Sequence, residues 1–383
     1  MKKWDDVFMG NYGTPALILL SGSGNKVRDS EGREYLDFLG GIATNILGHA
    51  HPAITAAVTK QLSELTHVSN FYAHPQGLML AEELQSLVGE PSARTFFCNS
   101  GAEANEAALK ISRLTGRKQI VAFTNSFHGR TMGALSVIGQ PDKRDPFTPL
   151  IPKIKFLPFG DLSAIKRGIT KRTAMVIVEP IQGEAGVIVP PPGFLRALRE
   201  RSDATGALLA VDEVQTGMGR TGSWFAFQKA GITPDIITVA KGLGGGLPLG
   251  ATIGIGKAGA LLQSGSHGST FGGSPTSVAA ARAAISVIKN ESILERVSRL
   301  GALLIAQGSL IPGIREVRGA GLLVGIELLN ADAKVIQKKL EERGILVNAA
   351  NPQTIRIAPA LVTSSEDVER FLTVLRAILG ERS

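Results

Sequence analysis

The sequence contains almost no cysteine, so disulfide bonds cannot organise its fold. Cys98 is the one cysteine among 383 residues, and a disulfide within the chain needs two. Cys98 follows the apolar residues Phe96 and Phe97, where a buried structural thiol is a better interpretation than a nucleophile. A disulfide-stabilised fold is therefore excluded.

Long hydrophobic runs are also missing. No stretch reaches the roughly 18 consecutive apolar residues that a transmembrane helix needs. The two lysines near the start, Lys2 and Lys3, are not followed by the apolar segment of a signal peptide. These absences predict a cytoplasmic protein without a membrane partner.

Runs of one charge are absent although the chain is basic. Lysine and arginine number 41 and aspartate and glutamate 33, which gives a formal net charge of +8. The positive residues are spread along the chain and form no patch interleaved with aromatic residues, so we predict no nucleic-acid partner. Two interpretations stay open: a general attraction for small anions, and a solvated basic face without a role.

The sequence does contain enough apolar residues for a large core. It is 44% hydrophobic over 383 residues, more than one compact domain usually has, so we expect two domains. Runs rich in β-branched and aromatic residues alternate with helical patterns through the first two thirds of the chain. The predicted strands are residues 94–98, 119–124, 174–178, 208–211, 236–240 and 251–255. Such alternation predicts an α/β fold with a mostly parallel sheet covered by helices.

The two ends of the chain have a different pattern. Short strand patterns separated by glycine-containing turns occupy residues 21–38 and indicate an N-terminal arm. After residue 276 come a helical pattern through 288, strand patterns at 317–318, 322–327, 345–347 and 354–357, and a helix at 365–379. We therefore predict an arm at 1–45 that belongs to a small α+β domain, a large domain at 46–276 and a C-terminal small domain at 277–383.

Polar residues stand at the ends of predicted strands, where ligands bind in doubly wound sheets. The first of these strands leads into Ser100, which is spaced from Glu103 as in a capping box. The small residues Gly101 and Ala102 would let a phosphate approach the free N–H groups at the start of a helix. A well-capped helix without a ligand is an equally good interpretation of this segment alone.

Two other strands end at Asp212 and Lys241. A carboxylate after an apolar run needs a partner, and burial of a lysine depresses its pKa toward the neutral amine that forms imines. Taken alone, the two residues are also compatible with a buried ion pair. A further loop carries Phe127 and Arg130, which is a weak signal on its own.

Six segments taken together resemble the signatures of the class III, or ornithine-type, aminotransferases of fold type I. They are residues 99–106, 127–130, 179–184, 212–217, 240–242 and 268–273. The resemblance extends from about Tyr12 to Leu379. It implies a pyridoxal-phosphate-dependent transferase whose large domain has a mostly parallel seven-stranded sheet flanked by helices, beside a small α+β domain.

The resemblance implies a role for each residue that contacts the cofactor, pyridoxal 5′-phosphate. Lys241 would hold the cofactor as a Schiff base and carry the proton between substrate and cofactor. Asp212 would keep the pyridine nitrogen protonated, and these two residues form the implied catalytic pair. Phe127 would stack on the ring and Gln215 would reach its phenolic oxygen. Gly101 and Ala102 would hold the phosphate, and Thr270 of the partner subunit would add a hydroxyl. Ser100 is a further implied cofactor contact.

The same resemblance implies two arginines for the substrate carboxylates. Arg130, near Ser269 of the partner subunit, would bind the α-carboxylate of the amino donor. Arg356 would bind 2-oxoglutarate through its guanidinium fork. Glu184 would pair with Arg356 in one half-reaction and swing away in the other, with a static surface ion pair as the alternative. Because the partner's Thr270 would complete the site, a homodimer is implied.

Residues 38–45, 48–52 and 69–72 are more similar to family members that act on N-acetylornithine than to those that act on ornithine or 4-aminobutyrate. The implied ping-pong reaction moves the δ-amino group of N-acetylornithine to 2-oxoglutarate. Its products are N-acetylglutamate 5-semialdehyde and glutamate, in arginine biosynthesis. Succinylornithine, ornithine and succinyl-diaminopimelate stay open as donors.

Three other interpretations carry less weight. An aminomutase on the same scaffold would not need the arginine and glutamate that exchange two substrates. A noncatalytic cofactor-binding or regulatory protein would not need an intact catalytic set. His49 and His51 have no third ligand nearby and the chain has no H-E-x-x-H motif, so we predict no metal site.

Overall fold

The computed structural model describes residues 4–381. Its strands are β1 Leu19–Ser23, β2 Lys26–Asp29, β3 Glu34–Asp37, β4 Arg94–Cys98, β5 Gln119–Phe123, β6 Ile154–Leu157, β7 Thr173–Val178, β8 Leu208–Asp212, β9 Ile236–Val239, β10 Gly250–Gly254, β11 Ile314–Ala320, β12 Leu323–Leu328, β13 Ile345–Leu346, β14 Asn348–Asn351 and β15 Thr354–Ile357. Its α-helices are α1 Gly40–Ala43, α2 Pro52–Glu64, α3 Pro75–Val88, α4 Gly101–Arg113, α5 Met132–Ser136, α6 Pro141–Arg144, α7 Leu162–Gly168, α8 Phe194–Thr205, α9 Ala226–Lys229, α10 Pro275–Asn290, α11 Ile293–Gly308, α12 Ala333–Glu342 and α13 Ser365–Gly380.

The central sheet has seven strands in the order β4-β10-β9-β8-β7-β5-β6. The strands from β9 through β6 are parallel to one another, and β10 runs antiparallel to both of its neighbours. Strands β7 and β9 are buried along their whole length because helices cover both faces of the sheet. The predicted fold class is confirmed. The edge strand β6 was not predicted, since its four residues include the exposed Lys155 and give little pattern.

The topology of this sheet brings the sequence motifs to one edge. Because β10 is antiparallel to both β4 and β9, the carboxyl ends of those two strands lie on the same side. Cys98 at the end of β4 pairs with Gly250, while Val239 at the end of β9 pairs with the adjacent Ala251. The loops after β4, β5, β7, β8 and β9 therefore converge where a doubly wound sheet binds ligands.

Two smaller four-stranded sheets flank the central one. In the first, β13 joins the N-terminal strands in the order β1-β2-β3-β13, so the two ends of the chain share a sheet. The second is antiparallel, in the order β11-β12-β15-β14. Strand β14 was not predicted because Asn348–Asn351 has little β-propensity, and its pairing with β15 defines it. The predicted domain boundaries stay a prediction.

The C-terminal helix α13 begins close to its predicted position because Ser364 and Asp367 form a capping box. Its buried face, which includes Phe371, packs into the main core, with the Phe371 ring centroid 5.1 Å from that of Phe38. Over residues 4–381 no helix combines the length and apolarity needed to cross a membrane.

Candidate active site

A cavity of about 460 Å³ opens at the carboxyl edge of the central sheet. It gathers nine of the twelve site residues that the sequence predicted: Ser100, Gly101, Ala102, Phe127, Arg130, Glu184, Asp212, Gln215 and Lys241. Arg356 lies behind the wall and is bonded to two of these residues. Ser269 and Thr270 do not line the cavity of their own chain.

The amino end of α4 forms one wall of the cavity. Ser100 caps the helix by accepting a hydrogen bond from the Glu103 amide at 3.2 Å. The second hydrogen bond of the predicted capping box is wrong. The Glu103 carboxylate accepts from the backbone and side-chain amides of Asn99, each at 2.8 Å, and not from the Ser100 amide. The amides of Gly101 and Ala102, in the first turn, have no helical carbonyl to which they can donate. They are available to an anion.

Gly101 also allows the first turn of α4 to approach the loop that follows β8. A Cβ atom there would lie 2.7 Å from a methyl carbon of Val214, closer than side chains tolerate. Val214 lines the cavity two residues after Asp212 and was not predicted as a site residue. Only glycine therefore allows α4 to begin this close to Val214.

Asp212 is buried and held by three hydrogen-bonding groups. Its Oδ2 accepts from Asn105 Nδ2 at 2.8 Å and lies 2.7 Å from His128 Nδ1, while its Oδ1 accepts from the Val214 amide at 3.0 Å. Among the described residues it forms no ion pair with Lys241, so that interpretation is wrong. Asn105 and His128 lie in the quoted motifs, but sequence reasoning gave them no role.

Lys241 stands two residues after the end of β9 and has a left-handed backbone with φ of 46°. Such a conformation costs a non-glycine residue on the order of 1 kcal/mol and is found at functional sites. Burial lowers the pKa of Lys241, an effect that Glu184 partly opposes. No ion pair holds the Lys241 ammonium within residues 4–381. A larger neutral fraction makes the amine a better nucleophile.

Glu179 is a buried cavity residue that sequence reasoning did not assign. Its Oε1 accepts from the Phe127 amide at 2.8 Å and its Oε2 from the Gly183 amide at 3.2 Å. Burial raises the pKa of Glu179 to about 7, although His128 acts in the opposite direction. The carboxyl group thus ties the loop of Phe127 to the loop that carries Glu184.

Arg356 is buried on β15 and bonded on both sides of its guanidinium. Nη1 donates to Glu184 and, at 3.1 Å, to Gln215 Oε1, and Nη2 donates to Asn348 Oδ1 at 2.9 Å. Burial acts to raise the pKa of Glu184, but Arg356 and then Lys241 outweigh it and lower the pKa to about 2. The alternative of a surface ion pair is wrong, because the Arg356 side chain is 3% exposed.

Arg130 offers a second, accessible cation. It is exposed and its Cζ lies 5.3 Å from the centroid of the Phe127 ring, which also has Lys143 Nζ at 5.6 Å. In the described part of the chain no carboxylate pairs with Arg130. A substrate carboxylate can therefore reach it without displacing a partner.

The loop that carries Ser269 and Thr270 lies beside the cavity. Ser269 Oγ accepts from Asn99 Nδ2 at 3.1 Å and from the Gly272 amide at 3.0 Å, and Thr270 is exposed. Their contribution across a subunit interface stays a prediction.

The two histidines that suggested a metal have separate partners. His49 Nε2 lies 2.8 Å from Asp37 Oδ2, and His51 Nδ1 accepts from the Ala53 amide at 3.3 Å to cap α2. Residues 4–381 contain no group of three His, Cys, Asp or Glu side chains arranged to hold a metal ion.

A protein-family model described as aminotransferase class-III matches residues 9–379. The chain belongs to the class-III aminotransferases. These enzymes depend on pyridoxal 5′-phosphate, and the chain is accordingly a pyridoxal-phosphate-dependent transaminase. The family resemblance found in the sequence is confirmed.

Curated relatives are similar to this aminotransferase over almost its whole length. Acetylornithine aminotransferase of Streptomyces coelicolor is 51% identical over 99% of this chain and 95% of its own. The Mycobacterium tuberculosis protein of the same name is also 51% identical, with the same two coverages.

Solved structures agree on the fold. Ornithine aminotransferase of Toxoplasma gondii superposes with a TM-score of 0.93 at 32% identity, covering 98% of this chain and 94% of its own. N-acetylornithine aminotransferase of Stenotrophomonas maltophilia gives a TM-score of 0.84 at 35% identity, covering 97% and 98%.

The cavity residues fit pyridoxal phosphate in charge and in shape. The free amides of Gly101 and Ala102 suit its phosphate, and the buried Asp212 suits a protonated pyridine nitrogen. Phe127 and Val214 supply apolar walls, and Lys241 supplies an unpaired amine. Bound there, the cofactor supplies an electron sink for a substrate carbanion.

Proposed function

We propose that this aminotransferase moves the δ-amino group of N-acetylornithine to 2-oxoglutarate, giving N-acetylglutamate 5-semialdehyde and glutamate in arginine biosynthesis. The observation that carries the proposal is the pair of arginines around one cavity. Arg130 is open to a carboxylate, whereas Arg356 is closed by Glu184. N-acetylornithine has one carboxylate and 2-oxoglutarate has two, so one arginine must change its partner between half-reactions. Relatives named acetylornithine aminotransferase support the choice of donor.

Each polar group then has a task that its surroundings suit. Lys241, whose pKa is lowered by burial, anchors the cofactor and carries the proton between the reacting carbons. Asp212, held by Asn105, His128 and the Val214 amide, would pair with the pyridine nitrogen of the cofactor. Ser100, Gly101 and Ala102 receive the phosphate, and Gln215 reaches the phenolic oxygen while bridging Glu184 and Arg356.

A homodimer that shares its active sites is part of the proposal. Exposed apolar residues, Phe71, Tyr72 and Phe271, lie around the loop that carries Ser269 and Thr270, and Asn70 Nδ2 donates to Gly272 O at 2.9 Å in the same region. An apolar patch of this kind marks a protein interface. Ser269 and the phosphate ligand Thr270 would each act in the cavity of the opposite subunit, in a cytoplasmic enzyme.

Ornithine transamination is a second candidate. It is supported by the high TM-score of the Toxoplasma gondii ornithine aminotransferase. Succinylornithine and succinyl-diaminopimelate also have an α-carboxylate next to the acylated amine, with one and two further carboxylates respectively, and are further donors to test.

The first experiment is a single half-reaction of the purified holoenzyme with each donor in turn. The absorbance of the lysine-bound cofactor is followed after mixing with N-acetylornithine, ornithine, succinylornithine, succinyl-diaminopimelate or 4-aminobutyrate. We expect the fastest decay with N-acetylornithine, and recovery on adding 2-oxoglutarate. Faster decay with another donor would overturn the substrate proposal, and an active monomer in sedimentation would overturn the shared site.

A further inference from the structure

The excess positive charge of this protein is concentrated in one segment. Residues 110–172 contain 13 Lys and Arg against 3 Asp, so their net charge is 13 − 3 = +10. The whole chain carries +8, so the remainder carries 8 − 10 = −2. Although Lys and Arg residues occur throughout the chain, the net charge is distributed unevenly, and this uneven distribution needs an explanation.

Part of this segment surrounds a depression of about 550 Å³ at the amino ends of β5, β6 and β7. Four cations line it: Arg117, Lys118, Lys153 and Arg172. The parallel register of the three strands brings these cations together, since Ile120 pairs with Ile154 and Gln119 with Thr173. Catalytic residues follow the carboxyl ends of such strands, so the depression lies at the opposite edge of the sheet.

No carboxylate neutralises the four cations. In the described part of the chain, none of them takes part in an ion pair. Lys118, Lys153 and Arg172 are exposed, and no acidic side chain lines the depression. Because like charges that share a concave surface repel one another, a bound anion would lower the energy of this arrangement.

Arg117 gives the depression a rigid part. Its Nη1 donates to the carbonyl oxygens of Thr173 at 3.1 Å, Thr205 at 2.9 Å and Gly206 at 2.8 Å. The preceding turn is held by Arg113, whose Nη1 donates to Lys118 O at 2.6 Å. The guanidinium is therefore fixed before a ligand arrives, and less entropy is lost on binding.

We propose that this depression binds a small, multiply charged phosphate compound through a diphosphate or triphosphate group. Four positive charges without a counterion are more than a single carboxylate would neutralise, and they suit the several negative charges of a polyphosphate. The lining contains no aromatic side chain on which a base could stack, which disfavours single-stranded nucleic acid. The phosphate could come from inorganic pyrophosphate or from a nucleotide, because both present the same group.

The test is calorimetric titration of the holoenzyme with pyrophosphate, ATP or a single-stranded oligonucleotide at fixed ionic strength. The holoenzyme is used so that its cofactor fills the active-site phosphate position. The variant K153Q/R172Q removes two cations of the depression. If this double variant fails to fold, the single variant K118Q is used in its place. The control K289Q/K338Q removes the same number of charges from exposed lysines elsewhere.

We expect saturable binding of pyrophosphate, weakened at least about tenfold in K153Q/R172Q (or, in its place, K118Q) and less than about twofold in the control, the loss expected for charge-assisted contacts. Tighter binding of ATP than of pyrophosphate would identify a nucleotide as the source. Transaminase activity stays at the wild-type level in these variants. The proposal is overturned if pyrophosphate and ATP do not bind saturably, if the control loses as much affinity, or if the oligonucleotide alone binds. Pyrophosphate binding that persists in the depression variants would place it at the active-site arginines and would also overturn the proposal.

Discussion

The cavity has two halves, one around Asp212 and one around Arg356, whose charged groups have different surroundings. Around Asp212 the carboxylate is buried and held by Asn105, His128 and a backbone amide. Around Arg356 an ion pair with Glu184 closes the site, and Glu184 keeps about a quarter of its side chain exposed. The Asp212 carboxylate is held in place on all sides, whereas the Glu184 side chain is partly exposed to solvent and can move away from Arg356. A fixed half suits a cofactor that stays bound, and an exchangeable half suits two substrates that alternate.

The largest effect is expected at Lys241, the proposed anchor of the cofactor. Lys241→Ala should lower the half-reaction rate with the amino donor at least about 10³-fold, because both the anchoring amine and the proton carrier are lost. Stopped-flow absorbance measures this rate. The control Lys257→Ala removes an exposed lysine and should leave the rate unchanged. A Lys241→Ala enzyme with a tenth of normal activity would exclude it as the proton carrier.

Asp212→Asn tests whether the fixed half depends on charge or on shape. The substitution keeps the volume but removes the negative charge beside His128, so we expect kcat/KM to fall about 10²-fold or more. Asn105→Ala keeps the charge and removes one of its donors, and should cost about tenfold. Activity of Asp212→Asn within threefold of the wild type would contradict a role for its charge.

Glu184→Gln tests the exchangeable half. Without the carboxylate, Arg356 stays open to any dicarboxylate, so the half-reaction with 2-oxoglutarate should be retained. The half-reaction with the amino donor should weaken, and the ratio of the two kcat/KM values should shift about tenfold toward 2-oxoglutarate. Glu316→Gln is a matched control because Glu316 pairs with Arg318 away from the cavity. Equal losses in both half-reactions would indicate a purely structural ion pair.

The smallest effect concerns stability, where Glu179 and Glu184 should act in opposite pH ranges. The pKa of Glu184 is lowered to about 2, so its contribution to stability is present above the ordinary value of 4.5 and is lost as the pH falls toward 2. The pKa of Glu179 is raised to about 7, so its contribution is present below 4.5 and is lost as the pH rises through 7.

Glu179→Gln makes this difference measurable. Between pH 5 and 8, the free energy of unfolding of the wild type should fall relative to that of Glu179→Gln by on the order of 1 kcal/mol. Denaturant unfolding at each pH supplies the comparison. Parallel curves for the two proteins would show that Glu179 is ionised in the folded state throughout this range.

Residues that stand in a local sequence pattern could be predicted from the sequence, whereas residues that meet only in the folded chain could not. Lys241 and Asp212 were found because each ends an apolar strand, a local pattern. Asn105 and His128 stand 107 and 84 residues from Asp212, and their hydrogen bonds to it depend on how β5, β8 and α4 pack. The capping box was wrong for a different reason, because the Glu103 carboxylate accepts from a local donor, the Asn99 amide, instead of the Ser100 amide.

The sequence by itself determined the alternation of strands and helices, the family signatures and the residue types of the cavity, because hydrophobic periodicity and short motifs are local properties. Tertiary structure decided which of those residues meet: the closure of Arg356 by Glu184, the bridging of two loops by Glu179, and the gathering of four unpaired cations at the opposite edge of the sheet. Electrostatic interactions act through space, so their partners, and the pKa values that follow from them, are set when the strands pair.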